Sequence, residues 1–346
     1  MTVLVWLRAN LLSTPLNAAL TALALGLLYL TLPPLIDWAF VAADFAGETR
    51  ADCTREGACW VFVKMRFWQF VYGFYPAPQR WRVDVAFVAL AGAAAPLFSE
   101  RLRRRRRVSA ALIFIGPPLA VVLFAGGVAG LVAVETARWG GLMLTLIVAG
   151  VAIAASLPIG IGLALGRASH LPVVRALSIA FIELWRGVPL ITVLFMAAVM
   201  LPLFLPEGVT MDKLVRALIG VSLFAGAYMA EVVRGGLEAV PRGQVEAAHA
   251  LGLDRRDTLL TIIIPQALRV IIPPLTNQYL NLTKNSSLAA AIAYPDLVSV
   301  FAGTVLNQTG QAVEVIAITM AVYLALSLTI SASMNLYQWR LKRRGG

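Results

Sequence analysis

Charge, cysteine and histidine are all scarce in this sequence, and each scarcity removes a class of function. Of 346 residues only 14% are charged, too few for the surface of a soluble domain of this size. Only two cysteines occur, Cys53 and Cys59, with no histidine near them, which argues against a zinc site. The two histidines, His170 and His249, lie in polar connectors, so neither can meet a serine within an apolar span as a proteolytic pair. No H-E-x-x-H motif is present, and no Gly-Lys dipeptide, so a zinc protease helix and a Walker A phosphate loop are both unsupported. If a nucleotide drives this protein, another chain binds it.

Apolar sequence is abundant instead. Hydrophobic residues make up 60% of the chain, and several runs approach or exceed the roughly 20 residues that cross a bilayer as a helix. The expected fold is all-α, a polytopic membrane protein of about eight spans. These cover Leu16–Leu32, Val85–Phe98, residues 108–125, Leu142–Leu165, Ala176–Leu205, Leu214–Val233, Leu275–Ala293 and Val313–Leu336. Pro33-Pro34 should end the first span. Arg186-Gly187-Val188-Pro189 interrupts the fifth, which should kink or break there. Residues 294–311 can hold a short external helix. The first span lacks a small-residue cleavage site at the right distance and reads as an anchor.

The formal net charge is +11, but the basic residues are clustered. They read as topology signals and contacts to membrane lipids, with no nucleic acid implied. Arg101 and Arg103–Arg107 mark one membrane face as cytoplasmic. Residues 166–175, the polar stretch near 241–257 and the basic tail from Arg340 then fall on that face, so both termini are expected inside. The loop over 33–82 falls outside. Its second half, Trp60–Tyr75, interleaves aromatics with Lys64 and Arg66, the pattern of an interfacial helix. Cys53 and Cys59 in this loop are either a disulfide or two free thiols; an oxidising outer compartment leads to the expectation of an intramolecular bridge.

The segment Val245–Pro265, VEAAHALGLDRRDTLLTIIIP, is the most polar extended stretch between long apolar runs. Pro241 suits the first turn of a short helix, and Glu246, Ala247 and Ala248 favour its continuation. Gly252 suits a left-handed terminus, and Asp254 can cap a second helix. Pro265 lacks a donor and disfavours helical geometry before it. The expectation is helix, glycine turn, helix, lying across the membrane surface.

This segment resembles the EAA loop of ABC importer membrane subunits: Glu246-Ala247-Ala248, three residues, Gly252, nine residues, then Ile262, Ile264 in place of Leu, and Pro265. The likeness extends further. Glu183–Pro189 is similar to the FRGTP segment of polar amino-acid ABC permeases, with Val188 in place of Thr. Ala227–Gly236 is similar to their AYxAExxRGG signature, and Lys284–Leu288 to their KxSSL segment. These motifs lie within residues 140–340. The three additional spans and the aromatic Cys-Trp loop resemble the M-type subunit of general L-amino-acid permeases.

The resemblance implies a type I ABC importer core of five helices over 136–346, preceded by a three-helix extension over 1–135 with a periplasmic loop. It implies a permease subunit for L-amino acids in a bacterial inner membrane. It also implies a second permease chain, two ATPase subunits and a periplasmic binding protein. ATP and Mg belong on the ATPase; this chain needs no cofactor or metal and is no enzyme. Coupling to the ATPase is expected through Glu246, Ala247, Ala248, Gly252, Ile262 and Pro265. Substrate contact is expected from Tyr228, Glu231, Asn281, Lys284, Asn285, Ser286 and Ser287. A zwitterion needs both charge signs, so Glu231 could hold an ammonium and Lys284 a carboxylate. Glu183, Arg186 and Arg234 are expected to be structural; Glu183/Arg186 and Glu231/Arg234 stand three residues apart on one helix face. The alternative class is a secondary transporter driven by an ion gradient, with Glu231 or Lys284 in the coupling site.

Overall fold

The computed structural model describes residues 3–54, 56–98, 106–204, 206, 208 and 210–342. Most of the arginine run that orients the chain, Leu205 at the end of the fifth expected span, and Arg343 and Arg344 of the tail lie outside the described residues. Fifteen α-helices and no β-strand occur among the described residues, as the apolar runs predict. Five helices are long and apolar enough to cross a membrane, or seven spans if two bent pairs each count as one. The second expected span is the one missing from this count: it is α4 (Trp81–Phe98), whose apolar part of 14 residues, 85–98, reaches only about 21 Å.

The chain forms two compact units, residues 1–67 with 308–314 and residues 68–307 with 315–346. This differs from the division expected at residue 135. The reason is packing: α4 and α5 (Arg106–Ala125) share a core with α6 (Gly141–Arg167), in which Phe124, Trp139 and Met143 are buried together.

In the first unit, α1 (Val3–Asn10) precedes α2 (Pro15–Ile36). Thr14 caps α2 by accepting the Asn17 N–H at 3.1 Å. Pro33-Pro34 does not end this helix. Both prolines lie inside it, the Asp37 N–H reaches back to their carbonyls, and a π-helical turn carries the chain to Val41. Proline's fixed φ suits a helix, so the pair is carried within it. The loop that follows is tied locally. Trp60 Nε1 donates to the Ala39 carbonyl at 2.8 Å, and Cys53 and Cys59 are disulfide-bonded with Cα atoms 5.8 Å apart. Gln311 Nε2 donates to the Cys59 carbonyl at 3.1 Å, and the Cys59 N–H to Glu314 Oε1 at 3.3 Å. The Glu48 and Thr49 amides, each donating at 2.8 Å, hold the Asp52 carboxyl below its ordinary range.

Helix α3 (Val61–Tyr72) completes the aromatic segment, and its residues from Trp68 onward belong to the second unit. Its last residue, Tyr72, is buried and donates to Asp84 Oδ1 at 2.5 Å. Tyr75, Phe124 and Trp139 then pack edge to face, with ring centroids 5.7 to 6.5 Å apart.

The centre of this unit is the pair α6 and α9 (Lys213–Glu238). The two helices approach closely because a glycine on each makes room for a large side chain of the other: a Cβ on Gly160 would sit 2.7 Å from Met229, and one on Gly226 would strike Ile159. The fifth expected span is broken. Helix α7 (Pro172–Gly187) and α8 (Leu190–Phe195), with the segment to Phe204, meet at 105°. Val188 and Pro189 are extended at this corner, as a residue before proline prefers.

Candidate functional site

One end of the bundle gathers the charges. Helix α6 ends at Arg167, α7 brings Glu183 and Arg186, and the last turns of α9 bring Glu231, Arg234 and Glu238. Glu231 is the shared acid. Its Oε1 accepts from Arg167 at 2.8 Å and lies 3.9 Å from Arg186, and its Oε2 lies 2.9 Å from Arg234. Arg167 also reaches Glu183 at 3.3 Å, and Arg234 reaches Glu238 at 2.7 Å. The pair Glu231/Arg234 expected from sequence is thus present, but Glu183 and Arg186 do not pair with each other. Each turns to a residue outside its own helix, because Arg167 and Glu231 offer partners across the helix interfaces.

No ion pair or hydrogen bond joins Glu231 to Lys284 among the described residues, and both carboxylate oxygens of Glu231 are already engaged by guanidinium groups. Tyr228 belongs with the ionic group: its hydroxyl is 3.4 Å from the Arg186 carbonyl, and the Arg186 guanidinium lies 5.6 Å from its ring centroid.

The expected contact residues from Asn281 to Ser287, with Asn277 before them, fall on α13 (Ile272–Asn285) and the 3₁₀ helix Ser286–Ile292. Asn277, Asn281 and Lys284 are exposed at i, i+4 and i+7, one face of the helix, while Leu275, Leu282 and Thr283 are buried on the other. Asn285 and Ser287 are half-buried. Ser286 is buried and donates to the Thr283 carbonyl at 2.7 Å, and Ser287 donates to the Lys284 carbonyl at 2.8 Å. Both serine hydroxyls therefore donate to the local backbone.

The EAA-like segment leaves α9 at the charged end. Helix α10 (Arg242–Ala250) follows Pro241, which stands just before the helix rather than within its first turn. Gly252 has φ +78°. Its N–H donates to the His249 carbonyl at 2.9 Å, and the Leu253 N–H donates to the Ala248 carbonyl at 3.1 Å. This pair of bonds is a Schellman motif, which satisfies carbonyls at the helix end. Asp254 then caps α11 (Arg255–Asp257) by accepting the Asp257 N–H at 2.6 Å. Pro265 does not stop the chain. A π-helical stretch, Thr258–Ile263, leads into α12 (Ile264–Val270) with Pro265 in its first turn, where a missing donor is harmless. Gln266 bridges back to Gln244 at 3.3 Å.

Ala248 is buried and Ile262 half-buried, so these hold the segment together. Glu246, Ala247, Gly252 and Pro265 are exposed, and Leu251 is 82% exposed at the tip. Two residues escaped the sequence reading. Arg167 was visible only as a loop base, since its pairing with Glu231 spans 64 positions. Leu251 was hidden because an apolar residue beside a glycine turn reads as buried.

Among the described residues no cluster of histidine, cysteine or carboxylate could hold a metal ion. The arrangement is a set of helix ties, a polar helix face and an exposed two-helix projection, suited to binding and movement.

Known proteins give this arrangement a family. Residues 156–344 match the binding-protein-dependent transport system inner membrane component family. The inner membrane amino-acid ABC transporter permease protein YhdY of Escherichia coli (strain K12) is 53% identical over 86% of this chain and 81% of its own length. The glutamate/glutamine/aspartate/asparagine transport system permease protein BztC of Rhodobacter capsulatus is 37% identical over 84% of this chain and 82% of its own. A crystal structure of an amino acid ABC transporter with histidines superposes with a TM-score of 0.52 at 29% identity, covering 57% of this chain and 91% of that one. The chain belongs to the binding-protein-dependent transport system inner membrane components, as an amino-acid ABC transporter permease.

Proposed function

We propose that this chain forms half of the translocation path of an ATP-driven importer for L-amino acids in a bacterial inner membrane, with both termini cytoplasmic. The observation that carries the reading is the projection at the charged end of the bundle: two short helices fixed by the Gly252 turn, presenting Glu246, Ala247 and Leu251 outward. A rigid, half-apolar projection of this kind fits a cleft on another protein. Its partner in this reading is one of two ATPase subunits, which bind ATP and Mg. This chain performs no covalent step.

A second permease chain supplies the other half of the path, and a periplasmic binding protein delivers the amino acid. Closure of the ATPases pulls on α10 and α11. The Glu231 ties, which join α6, α7 and α9, let these helices move as one body, so the path opens to the opposite face. The exposed row Asn277, Asn281 and Lys284 lines the path and offers amides and a cation to the amino acid.

The test is reconstitution of the complex purified with its copurifying subunits. Uptake that needs ATP and loaded binding protein, and that survives an uncoupler, supports the reading. Uptake by this chain alone, abolished by an uncoupler, would establish the secondary-transport alternative instead.

A further inference from the structure

At the end of α9 away from the EAA-like segment lies a second feature. A cavity of about 380 Å³ opens between α7, the segment Leu190–Phe204 and α9, within the size range of small-molecule sites. Trp185, Met196, Met200, Phe204, Ile219 and Leu223 line it, all hydrocarbon, thioether or indole. The exception in the lining is Arg216.

Arg216 is 8% exposed and belongs to no ion pair among the described residues. Its Nη1 donates to the Ala198 carbonyl at 2.7 Å and, at the limit, to that of Ala197 at 3.5 Å, while its Nε has no partner. Those carbonyls belong to the π-helical stretch Met196–Met200, so one edge of the guanidinium pins the cavity wall. The nearby acid Asp212 is engaged elsewhere: it accepts from the Leu214 and Val215 amides and from Thr136. A guanidinium keeps its charge at any accessible pH. Carbonyl dipoles alone leave that charge uncompensated in apolar surroundings, which calls for an anion.

We propose that this cavity binds an acyl chain of an anionic phospholipid, with the lipid phosphate on Arg216. Three observations select this occupant. The lining offers no acid to an ammonium, which excludes a free amino acid. Met196, Phe204 and Ile219 are exposed on a chain that spans a membrane, so hydrocarbon is the medium at the cavity mouth. Arg216 stands four residues beyond the Asp212 cap, about 6 Å along the helix axis, close enough to the helix end for a headgroup phosphate to reach it. The site is independent of the transport reading.

Trp185 is the reporter. The purified complex is placed in phosphatidylcholine vesicles containing increasing fractions of brominated phosphatidylglycerol or brominated phosphatidylcholine. The fluorescence lost in the intact protein but not in Trp185→Phe isolates the cavity. Half-quenching should come at an about fivefold lower fraction of the anionic lipid, the preference that one basic residue confers near a surface. Arg216→Gln should abolish that difference, and Arg216→Lys should keep part of it. Equal half-quenching fractions for the two lipids in the intact protein would overturn the proposal. So would a Trp185 component that neither lipid quenches, since the cavity would then be filled by protein. The intact-protein comparison decides the matter even if the arginine variants do not fold.

Discussion

Arg167 at the end of α6 donates to Glu231 near the end of α9 at 2.8 Å, across 64 positions of sequence. Glu231 is also within 4 Å of Arg186 and Arg234, so one carboxylate offsets three guanidinium groups. Removing its charge leaves these cations facing one another. Glu231→Gln keeps the shape and should cost about 1–2 kcal/mol, less than a fully buried pair because the arginines are partly solvated. The measurement is thermal unfolding in detergent, with Arg167→Gln as the second arm of a double-mutant cycle. Additive losses in the two variants would show that the contact contributes nothing.

Lys284 exposes its ammonium on the face shared with Asn277 and Asn281. If this face lines the path, Lys284→Met should lower uptake about tenfold by removing one charge-assisted bond to a carboxylate. Asn281→Leu should act in the same direction with a smaller effect. Both variants should assemble normally, because neither side chain is buried. Unchanged uptake kinetics in both would remove the row from the substrate path.

Much of the architecture was legible because apolar runs and turn residues act locally. The helices over 141–167, 213–238 and 312–342, the break at Val188-Pro189 and the Gly252 turn all follow from spacing. The misreadings cluster at prolines. Pro33, Pro34 and Pro265 were expected to stop helices, but the first two lie inside α2 and Pro265 follows directly on a π-helical stretch in the first turn of α12. That placement is set by neighbouring geometry and leaves no mark in composition. The ionic ties were half legible: Glu231/Arg234 obeys helical spacing, whereas Arg167 meets Glu231 only once α6 and α9 pack. The same packing engages Glu231 with Arg167, which helical spacing alone does not show.

The disulfide closes a small ring, with Cys53 and Cys59 six positions apart. A ring of that size stabilises its loop by about 2 kcal/mol in the chain-entropy account. Cys53→Ser with Cys59→Ser should speed proteolysis within the 44–60 loop while leaving uptake within about twofold, as expected if the bridge serves only its own loop. Non-reduced peptide mapping by mass spectrometry provides the direct check. Two free thiols in the intact protein would rule out the bridge.

Tyr72 titrates unusually. Burial first, and then its bond to Asp84, push the phenol up to about 12. A phenol raised in the folded state stabilises fully below its unfolded value of 10.0, and that contribution is lost as pH rises through the folded value. Absorbance at the tyrosinate band, compared between the intact protein and Tyr72→Phe, should therefore show no Tyr72 ionisation at pH 10.0. Asp84→Asn should lower the midpoint but leave it above the ordinary range, since burial remains. A Tyr72 component that ionises with exposed tyrosines would contradict this packing.

Gly252 tests the coupling projection without touching a span. Its φ of +78° is a left-handed conformation, and a Cβ placed there would meet nothing within 4 Å. Any effect of substitution is therefore backbone strain and not a clash. Valine should cost about 1–2 kcal/mol at this position, whereas asparagine, which tolerates the left-handed region, should cost much less. Under that strain the Schellman bonds from Gly252 to His249 and from Leu253 to Ala248 loosen, and α10 loses its fixed angle to α11. Gly252→Val should thus weaken recovery of the ATPase in a pull-down, or abolish stimulation of ATP hydrolysis by loaded binding protein. Gly252→Asn should preserve both. Glu246→Lys, which reverses an exposed charge on α10 and leaves the turn intact, should impair the same two readouts. All three variants should reach the membrane in normal amounts. If valine and asparagine behave alike, the left-handed turn does not set the geometry. If Glu246→Lys and Gly252→Val both couple normally, the projection is a connector and the ATPase docks elsewhere.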